Sequence, residues 1–365
     1  MINGLFTTIS RCILHKVNSK PAATDDEEEE KRHDDGLDLP DQQSYLLSDN
    51  EISIDKEHHD IMRDFFLNAF KAKEYYNLWS ETDTLSENVI YRCVSEIFDN
   101  SDSFLQQSKH IVEHMYNQSE DRTQIGHVFV VLFHDLEVDG CKTDAVGIFK
   151  METRTQILKI GYNEEQGFAI GYDEGVNLNK VEQGCLIFNT EREKGYLVAV
   201  SESLGRNSRY WMDRVLCAMQ RKDEYYQTQN TIAICKDFVT KQLPKEYEVS
   251  KADQAVLMNK TKEYFEENSS FDFDHFTREV LPDKQVADDF RTFSEQQSNE
   301  LDLKINEGFH ISEGAVKKQS RMFRSVIKLD KNFHVYVHGN SKFIEKGFDQ
   351  EAEMQYYRLF FKEEE

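Results

Sequence analysis

Two apolar runs joined by an Asp-Gly pair constrain the fold more than any other part of the sequence. His127–Val138 and Ala145–Met151 each have the composition of a buried strand, and Asp139-Gly140 is a favoured pair for a tight hairpin turn. Shorter strands separated by glycine-bearing turns are predicted to follow at Ile157–Tyr162, Phe168–Tyr172, Cys185–Asn189 and Tyr196–Ser201. With helices on one side of this antiparallel sheet, the pattern predicts an α+β fold.

The segments before the sheet predict one strand and three helices. Leu5–Val17 is rich in β-branched residues, and the acidic segment at about residues 24–41 is typical of a solvated loop. From Lys56 to Trp79 apolar residues recur at steps of three and four, which predicts one amphipathic helix. Two further helices are expected over Ser86–Phe98 and Ser101–Asn117.

After Gly205 the pattern becomes helical and returns to strands only near the end of the chain. The predicted helices are Arg209–Gln220, capped by Ser208, then Gln227–Gln242, Ser250–Asn268 and Asp283–Ile305. The predicted strands are Val326–Leu329, Phe333–His338 and Met354–Phe361. We therefore expect two domains, an α+β domain at residues 1–204 and a helical domain with a terminal β element at residues 205–365.

Charge and cysteine usage narrow the class of protein. The chain has 365 residues, a net charge of −24 and 39% apolar residues, so it should fold but cannot be a uniformly basic coat for nucleic acid. Its six cysteines never form C-x-x-C, which favours free thiols in a reducing cytoplasm. No run is long and apolar enough to cross a bilayer, and no signal peptide is expected.

No motif predicts catalysis convincingly. His110, Glu113 and His114 match a zinc-protease spacing, but helical phase predicts that they face solvent, opposite the apolar stripe. Asp144, Glu152 and Arg154 resemble a nuclease arrangement only loosely, because an arginine cannot replace the titratable lysine. Phosphate-binding loops and the G-x-S-x-G motif are missing. We expect no enzyme activity, no cofactor and no bound metal, with a metal-dependent nuclease or hydrolase as a minor alternative.

The most informative local feature is a basic stretch near the C-terminus. Between Phe309 and Lys346 eight Lys and Arg stand against three Asp and Glu, a net charge of +5 in a chain of net −24. A smaller group lies from Arg206 to Lys222, with five basic residues against one acidic residue. Concentrated positive charge on an acidic body indicates a local site for a polyanion.

The local pattern of this stretch selects candidate DNA contacts. We expect a short helix from Ser312 to about Met322 and then a hairpin whose second strand turns Phe333, Val335 and Val337 to one face. Lysine and arginine would neutralise phosphates beside tyrosine and histidine on the other face. The candidates are Lys317, Lys318, Arg321, Arg324, Lys328, Lys331, His334, Tyr336, His338 and Lys342, with Arg214 and Arg221 on a shared helix face as an extension of the same surface. An ordinary solvated hairpin whose lysines pair with carboxylates explains the same pattern.

Four segments resemble the bacterial nucleoid-associated protein family, NdpA-like. They are ILHKVNSK at Ile13–Lys20, DAVGIFKMETRTQILKI at Asp144–Ile160, SRYWMDRVLCAM at Ser208–Met219 and RMFRSVIKLDKNFHVYVHG at Arg321–Gly339. The resemblance spans nearly the whole chain, and its strings are structural rather than catalytic. It implies a cytoplasmic protein found with the bacterial chromosome, binding DNA and without enzymatic activity.

Two hypotheses about partners follow from the residues. In the first, the basic stretch binds the DNA backbone directly, and binding weakens steeply as salt rises. In the second, the protein is a scaffold that reaches the nucleoid through an acidic protein partner. No membrane partner is expected, and a homodimer formed by the helical half is compatible with the pattern.

Overall fold

A computed structural model of the chain shows two compact units. They are Met1–Arg221 and Lys222–Glu365, called here the N-terminal and the C-terminal unit. The structure describes residues 2–17, 45–70, 74–82, 84–119, 126–152, 154–163, 167–178, 181–202, 210–323, 326–329, 332–336 and 343–363. The predicted acidic loop lies outside these residues. So does the predicted boundary between residues 204 and 205, which stays a prediction.

The N-terminal unit is built on a nine-stranded antiparallel sheet and a separate hairpin. The strands are β1 (Ile2–Asn3), β2 (Thr8–Val17), β3 (Tyr45–Leu46), β4 (Tyr75–Leu78), β5 (Gly126–Val138), β6 (Cys141–Met151), β7 (Arg154–Asn163), β8 (Gly167–Val176), β9 (Gln183–Phe188), β10 (Leu197–Glu202) and β11 (Ala218–Gln220). The sheet order is β11-β4-β10-β9-β6-β5-β2-β3, and β1 also pairs with β5. Among the described strands, β7 and β8 pair only with each other.

The Asp-Gly turn sets the register of the two longest strands of the sheet. Val138 pairs with Cys141 across the turn, and both Asp139 and Gly140 have positive φ, at 48° and 84°. Positive φ at both central residues is the backbone that twists a two-residue turn to match the strands it joins. The hairpin predicted from this pair is confirmed.

Both faces of the sheet are covered, and successive residues of β5 enter opposite cores. Val130 and Leu132 pack in the core beneath helices α2 (Val89–Asp99) and α3 (Phe104–Gln118). Val131 and Phe133 pack on the other side, with Phe66 of helix α1 (Lys56–Leu67). The α+β class is confirmed, but the expectation that helices lie on only one side of the sheet is wrong. Because central strands are apolar on both faces, each face needs a cover.

The predicted helix from Lys56 to Trp79 is too long. Helix α1 ends at Leu67, and Tyr75–Leu78 forms the strand β4 instead. β4 lies between β10 and β11, where Tyr76 pairs with both Val198 and Gln220. Pairing with strands more than a hundred residues away determines the structure here, and local helical periodicity cannot report it.

The segment after β10 also departs from the predicted helix Arg209–Gln220. A wide π-helical turn covers Tyr210–Leu216, and Ala218–Gln220 then joins the sheet as β11. Cys217 between them has a φ of 46°, a left-handed conformation that ends a helix. Ser208, the predicted cap, lies outside the described residues.

The C-terminal unit is mostly helical and has its own core. Its helices are α4 (Glu224–Asp237), α5 (Leu243–Glu246), α6 (Lys251–Glu267), α7 (Phe273–Val280), α8 (Lys284–Leu301) and α9 (Glu313–Lys318), with a π-helical turn at Phe238–Gln242 between α4 and α5. Ser250 and Asp253 form a capping box at the start of α6. The side chain of Asp283 accepts the Val286 N–H at the start of α8. These caps explain why both helices begin where the sequence predicts.

Three two-stranded ribbons complete the C-terminal unit. Their strands are β12 (Ser270–Phe271) with β13 (Phe309–His310), β14 (Val326–Leu329) with β15 (Phe333–Tyr336), and β16 (Ile344–Asp349) with β17 (Met354–Leu359). Ile327 of β14 is buried against Ala252 and Ala255 of α6, and Ile344 and Tyr357 pack on the same cluster. Helix α6 therefore supports both terminal hairpins.

Candidate nucleic-acid interface

Helix α9 and the 3-10 turn after it present three of the candidate cations to solvent. Ser312 caps α9 by accepting the Ala315 N–H, and Ala315 is buried on the inner face. Helix α9 ends at Lys318, and the chain continues directly as the 3-10 turn Gln319–Arg321. Lys317, Lys318 and Arg321 are exposed. A helix from Ser312 to about Met322 was expected, and the structure forms one over most of this range.

The cations of this segment differ in what they contact. Lys317 and Arg321 form no ion pair with any other described residue. The Lys318 ammonium lies 5.8 Å from the centroid of the Tyr225 ring, within the range of a cation–π contact. Two of the three charges therefore stand in solvent without a carboxylate partner in the described part of the chain.

The hairpin β14–β15 carries the next group of candidates. Lys328 is opposite His334 in the register, and Val326 is opposite Tyr336. His334 and Tyr336 are exposed, while Val335 packs toward the cluster around Ile327. Val335 lies as expected, but Phe333, which was expected on the same apolar face, is 65% exposed, and Val337 lies outside the described residues. Four further candidates lie outside the described residues: Arg324, Lys331, His338 and Lys342.

Lys346 extends the basic stretch but was not selected as a contact from the sequence. It is exposed on β16, opposite Tyr357, in the hairpin that packs on α6 beside β14–β15. Strand alternation gave no signal for it, because Lys346 lies two residues from Ile344 and therefore on the same face of β16 as this core-facing residue.

Carboxylates neutralise part of the smaller basic group. In the N-terminal unit the guanidinium of Arg221 lies 2.9 Å from a carboxylate oxygen of Glu191. In the C-terminal unit Lys222 lies 2.9 Å from Asp302. The hydrogen bond between Lys222 and Asp302 raises the pKa of the lysine and lowers the pKa of the aspartate. Both cations are thus already paired, which weakens the case for an anion site here.

Arg214 and Arg221 do not share a helix face, contrary to expectation. Arg214 is exposed within the π-helical turn Tyr210–Leu216, whereas Arg221 follows the strand β11. The left-handed residue Cys217 separates them. Arg206 and Arg209 of the same group lie outside the described residues.

The zinc-protease spacing on α3 does not form a metal site. His110 is exposed, but His114 is half-buried and its Nε2 donates to the Val215 carbonyl oxygen at 3.0 Å. Burial lowers the pKa of His114. The prediction that this whole face is solvated is wrong for His114, because the turn Tyr210–Leu216 packs over it. Among the described residues no group of three or more His, Cys, Asp or Glu could hold a metal ion.

The nuclease-like carboxylates lie at opposite ends of one strand. Asp144 is near the start of β6 and pairs with His134 at 2.9 Å, while Glu152 follows the end of β6 and pairs with the buried Lys150 at 2.7 Å. Eight residues of strand separate them by about 26 Å. A single metal ion cannot bridge that distance.

These observations define the class of the protein as a two-unit α+β protein whose C-terminal unit exposes cations that have no carboxylate partner among the described residues. Among its described helices none is long and apolar enough to span a membrane. A family model described as nucleoid-associated protein YejK matches residues 29–353, about nine tenths of the chain. The chain belongs to this family, which confirms the resemblance seen in the sequence. No curated protein matches it.

Proposed function

We propose that this protein binds the phosphate backbone of DNA through the segment formed by α9, the turn Gln319–Arg321 and the hairpin β14–β15. The observation that carries the proposal is the exposure of Lys317 and Arg321 without carboxylate partners in the described part of an otherwise acidic chain. Membership of a nucleoid-associated family supports DNA as the polyanion.

The proposed contacts suit the backbone better than the bases. Lysine and arginine neutralise phosphates, and the exposed Tyr336 and His334 can donate hydrogen bonds to phosphate and sugar oxygens. Helix α9 has six residues, so it presents few side chains to base edges in a groove. We therefore expect binding with little sequence preference.

The acidity of the rest of the chain limits where DNA can bind. A net charge of −24 repels DNA everywhere except at the basic segment, so contact should be confined to that segment. We expect the protein to lie on the nucleoid in the cytoplasm and to act without catalysis. DNA that stays intact with the protein and Mg²⁺ would agree with this expectation, and metal-dependent cleavage would contradict it.

The test is the salt dependence of duplex binding. Each phosphate contact gives a log–log slope of about −0.9, so four to six contacts predict a slope of roughly −4 to −5. Replacing Lys317, Lys318 and Arg321 together by Ala should reduce the slope by about 3 and weaken binding similarly on unrelated sequences. Alanine keeps the helix, because it has the highest helix propensity.

A matched control removes the same charge from elsewhere in the C-terminal unit. Lys241, Lys262 and Lys304 are accessible and paired with Asp237, Glu266 and Glu307. Their triple Ala variant should leave the salt slope nearly unchanged. Equal losses in both variants would show that only total charge matters. No binding at low salt would reject the proposal and favour an acidic protein partner instead.

A further inference from the structure

The hairpin β7–β8 carries one continuous apolar face that nothing in the described structure covers. Three cross-strand pairs form this face: Leu158 with Tyr172, Ile160 with Ile170, and Tyr162 with Phe168. These six side chains are each between 63% and 79% exposed. The tip pair is in ring contact, with centroids 5.1 Å apart.

The opposite face of the same hairpin is mixed and carries few large side chains, with Ile157, 48% exposed, as its one large apolar residue among those described. There Lys159 forms an ion pair with Asp173, and Gly161 and Gly171 contribute no side chain. A two-stranded hairpin alone is marginally stable in water and gains stability when an apolar face is covered. The asymmetry between the faces therefore points to a partner for the apolar face.

We infer that this face, the pairs Leu158–Tyr172, Ile160–Ile170 and Tyr162–Phe168, is the contact through which two copies of the chain associate. The three aromatic side chains alone expose on the order of 450 Å², since an aromatic side chain presents about 150–250 Å² and about three quarters of each is open, and three aliphatic side chains add to this area. A stable interface of standard size buries about 800 Å² on each partner. One face of the hairpin thus supplies most of the area that such an interface needs.

The chemistry of the face also fits a second copy. The three pairs contain no charged side chain, so two acidic chains can meet there without placing carboxylates against each other. The ladder has a middle pair, Ile160–Ile170, flanked on each side by a pair that contains an aromatic ring. A two-fold axis through the middle pair would place the tip pair of one copy on the Leu158–Tyr172 pair of the other, which is the self-complementary contact that such symmetry requires.

Sedimentation of the full chain tests this inference with two neighbouring substitutions. Ile170→Lys places a charge in the apolar face, and Ala169→Lys places the same charge one residue away on the opposite face, where Ala169 is also exposed. We expect dimers in the wild type at about 1–100 µM, because interfaces of this size bind at micromolar affinity or tighter. Ile170→Lys should weaken dimerisation at least about a hundredfold, and Ala169→Lys should not change it.

Salt gives a second readout that separates this inference from DNA binding. Dimerisation brings two chains of charge −24 together, so it should strengthen as salt rises, whereas DNA binding weakens. Wild-type monomers over the whole range, or equal effects of the two substitutions, would overturn the inference. Thermal unfolding confirms that each variant is folded, and Phe168→Ser replaces Ile170→Lys if that variant is not.

Discussion

Acid should destabilise the N-terminal unit through one buried histidine, His15 on β2. The backbone N–H of Ser48 donates to His15 Nδ1 at 3.0 Å, and His15 Nε2 lies 3.0 Å from the Ser108 hydroxyl. Ser108 donates its own proton to the Leu105 carbonyl oxygen at 2.8 Å. The neutral ring therefore carries its proton on Nε2, and protonating Nδ1 would break the bond from Ser48.

The same environment gives the size of the effect. Burial, helped by the charge of Lys109, lowers the pKa of His15 from 6.5 to about 4. At one pKa unit per 1.36 kcal/mol, this difference is worth up to about 3 kcal/mol of unfolding free energy. Because the pKa is lowered in the folded protein, the full stabilisation by neutral His15 is present above about pH 6.5. It is lost as the pH falls from about 6.5 to about 4, because the unfolded chain binds the proton first.

Urea unfolding followed by tryptophan fluorescence measures this loss. Both tryptophans of the chain, Trp79 and Trp211, lie in the N-terminal unit, so their emission reports that unit alone. Many carboxylates also titrate in this range, and the comparison must therefore be made with His15→Gln, which cannot take up the proton. Between about pH 7 and pH 4 the wild type should lose about 3 kcal/mol more than the variant.

Two results would refute the reasoning. One is an identical pH dependence of the unfolding free energy in the wild type and in His15→Gln. The other is an imidazole C–H signal of His15 that titrates near the ordinary value in the folded protein. Either would mean that the neutral, fully bonded ring is not favoured by its surroundings.

Three further predictions concern single positions. Gly195→Ala should cost at least about 2 kcal/mol of unfolding free energy, because Gly195 has a φ of 92° and an added Cβ would meet the Leu78 carbonyl oxygen. Gly140→Ala should cost about 1 kcal/mol in the same fluorescence assay, because Gly140 has a φ of 84° but open space around it. Phe66→Ala should cost about 3–5 kcal/mol by urea unfolding, because the fully buried ring contacts four other phenylalanine rings, and a loss below about 1 kcal/mol would contradict this packing. At neutral pH a thiol reagent followed by mass spectrometry should label the exposed Cys141 and spare Cys12 and Cys185, since burial raises the pKa of both buried thiols to about 12.

The sequence predicts those parts of the fold that local patterns control. The apolar runs of β5 and β6, the Asp139-Gly140 turn and the caps at Ser250 and Asp283 act within a few residues of the structure they determine. Long-range pairing was not predictable in this way. Tyr75–Leu78 continues a helical periodicity, yet it becomes a strand because β10 and β11 supply hydrogen bonds on both sides.

In the candidate site, too, local features could be predicted from the sequence and long-range contacts could not. The exposure of Lys317 and Arg321 follows from a short amphipathic helix whose buried side is Ala315 and Val316, and spacing alone indicates it. The pairing of Arg221 with Glu191 joins residues thirty positions apart. Only the packed structure brings such partners together, so charge counts along a sequence overestimate how many cations are available to a ligand.

The proposed self-association face and the proposed polyanion site belong to different units, and this has a consequence for how the chain tolerates change. The apolar hairpin β7–β8 belongs to the first unit and the exposed cations Lys317 and Arg321 belong to the second. We therefore expect substitutions on the hairpin and substitutions at the two cations to change the proposed self-association and the proposed polyanion contact separately. A lineage could then lose either proposed property and keep the other.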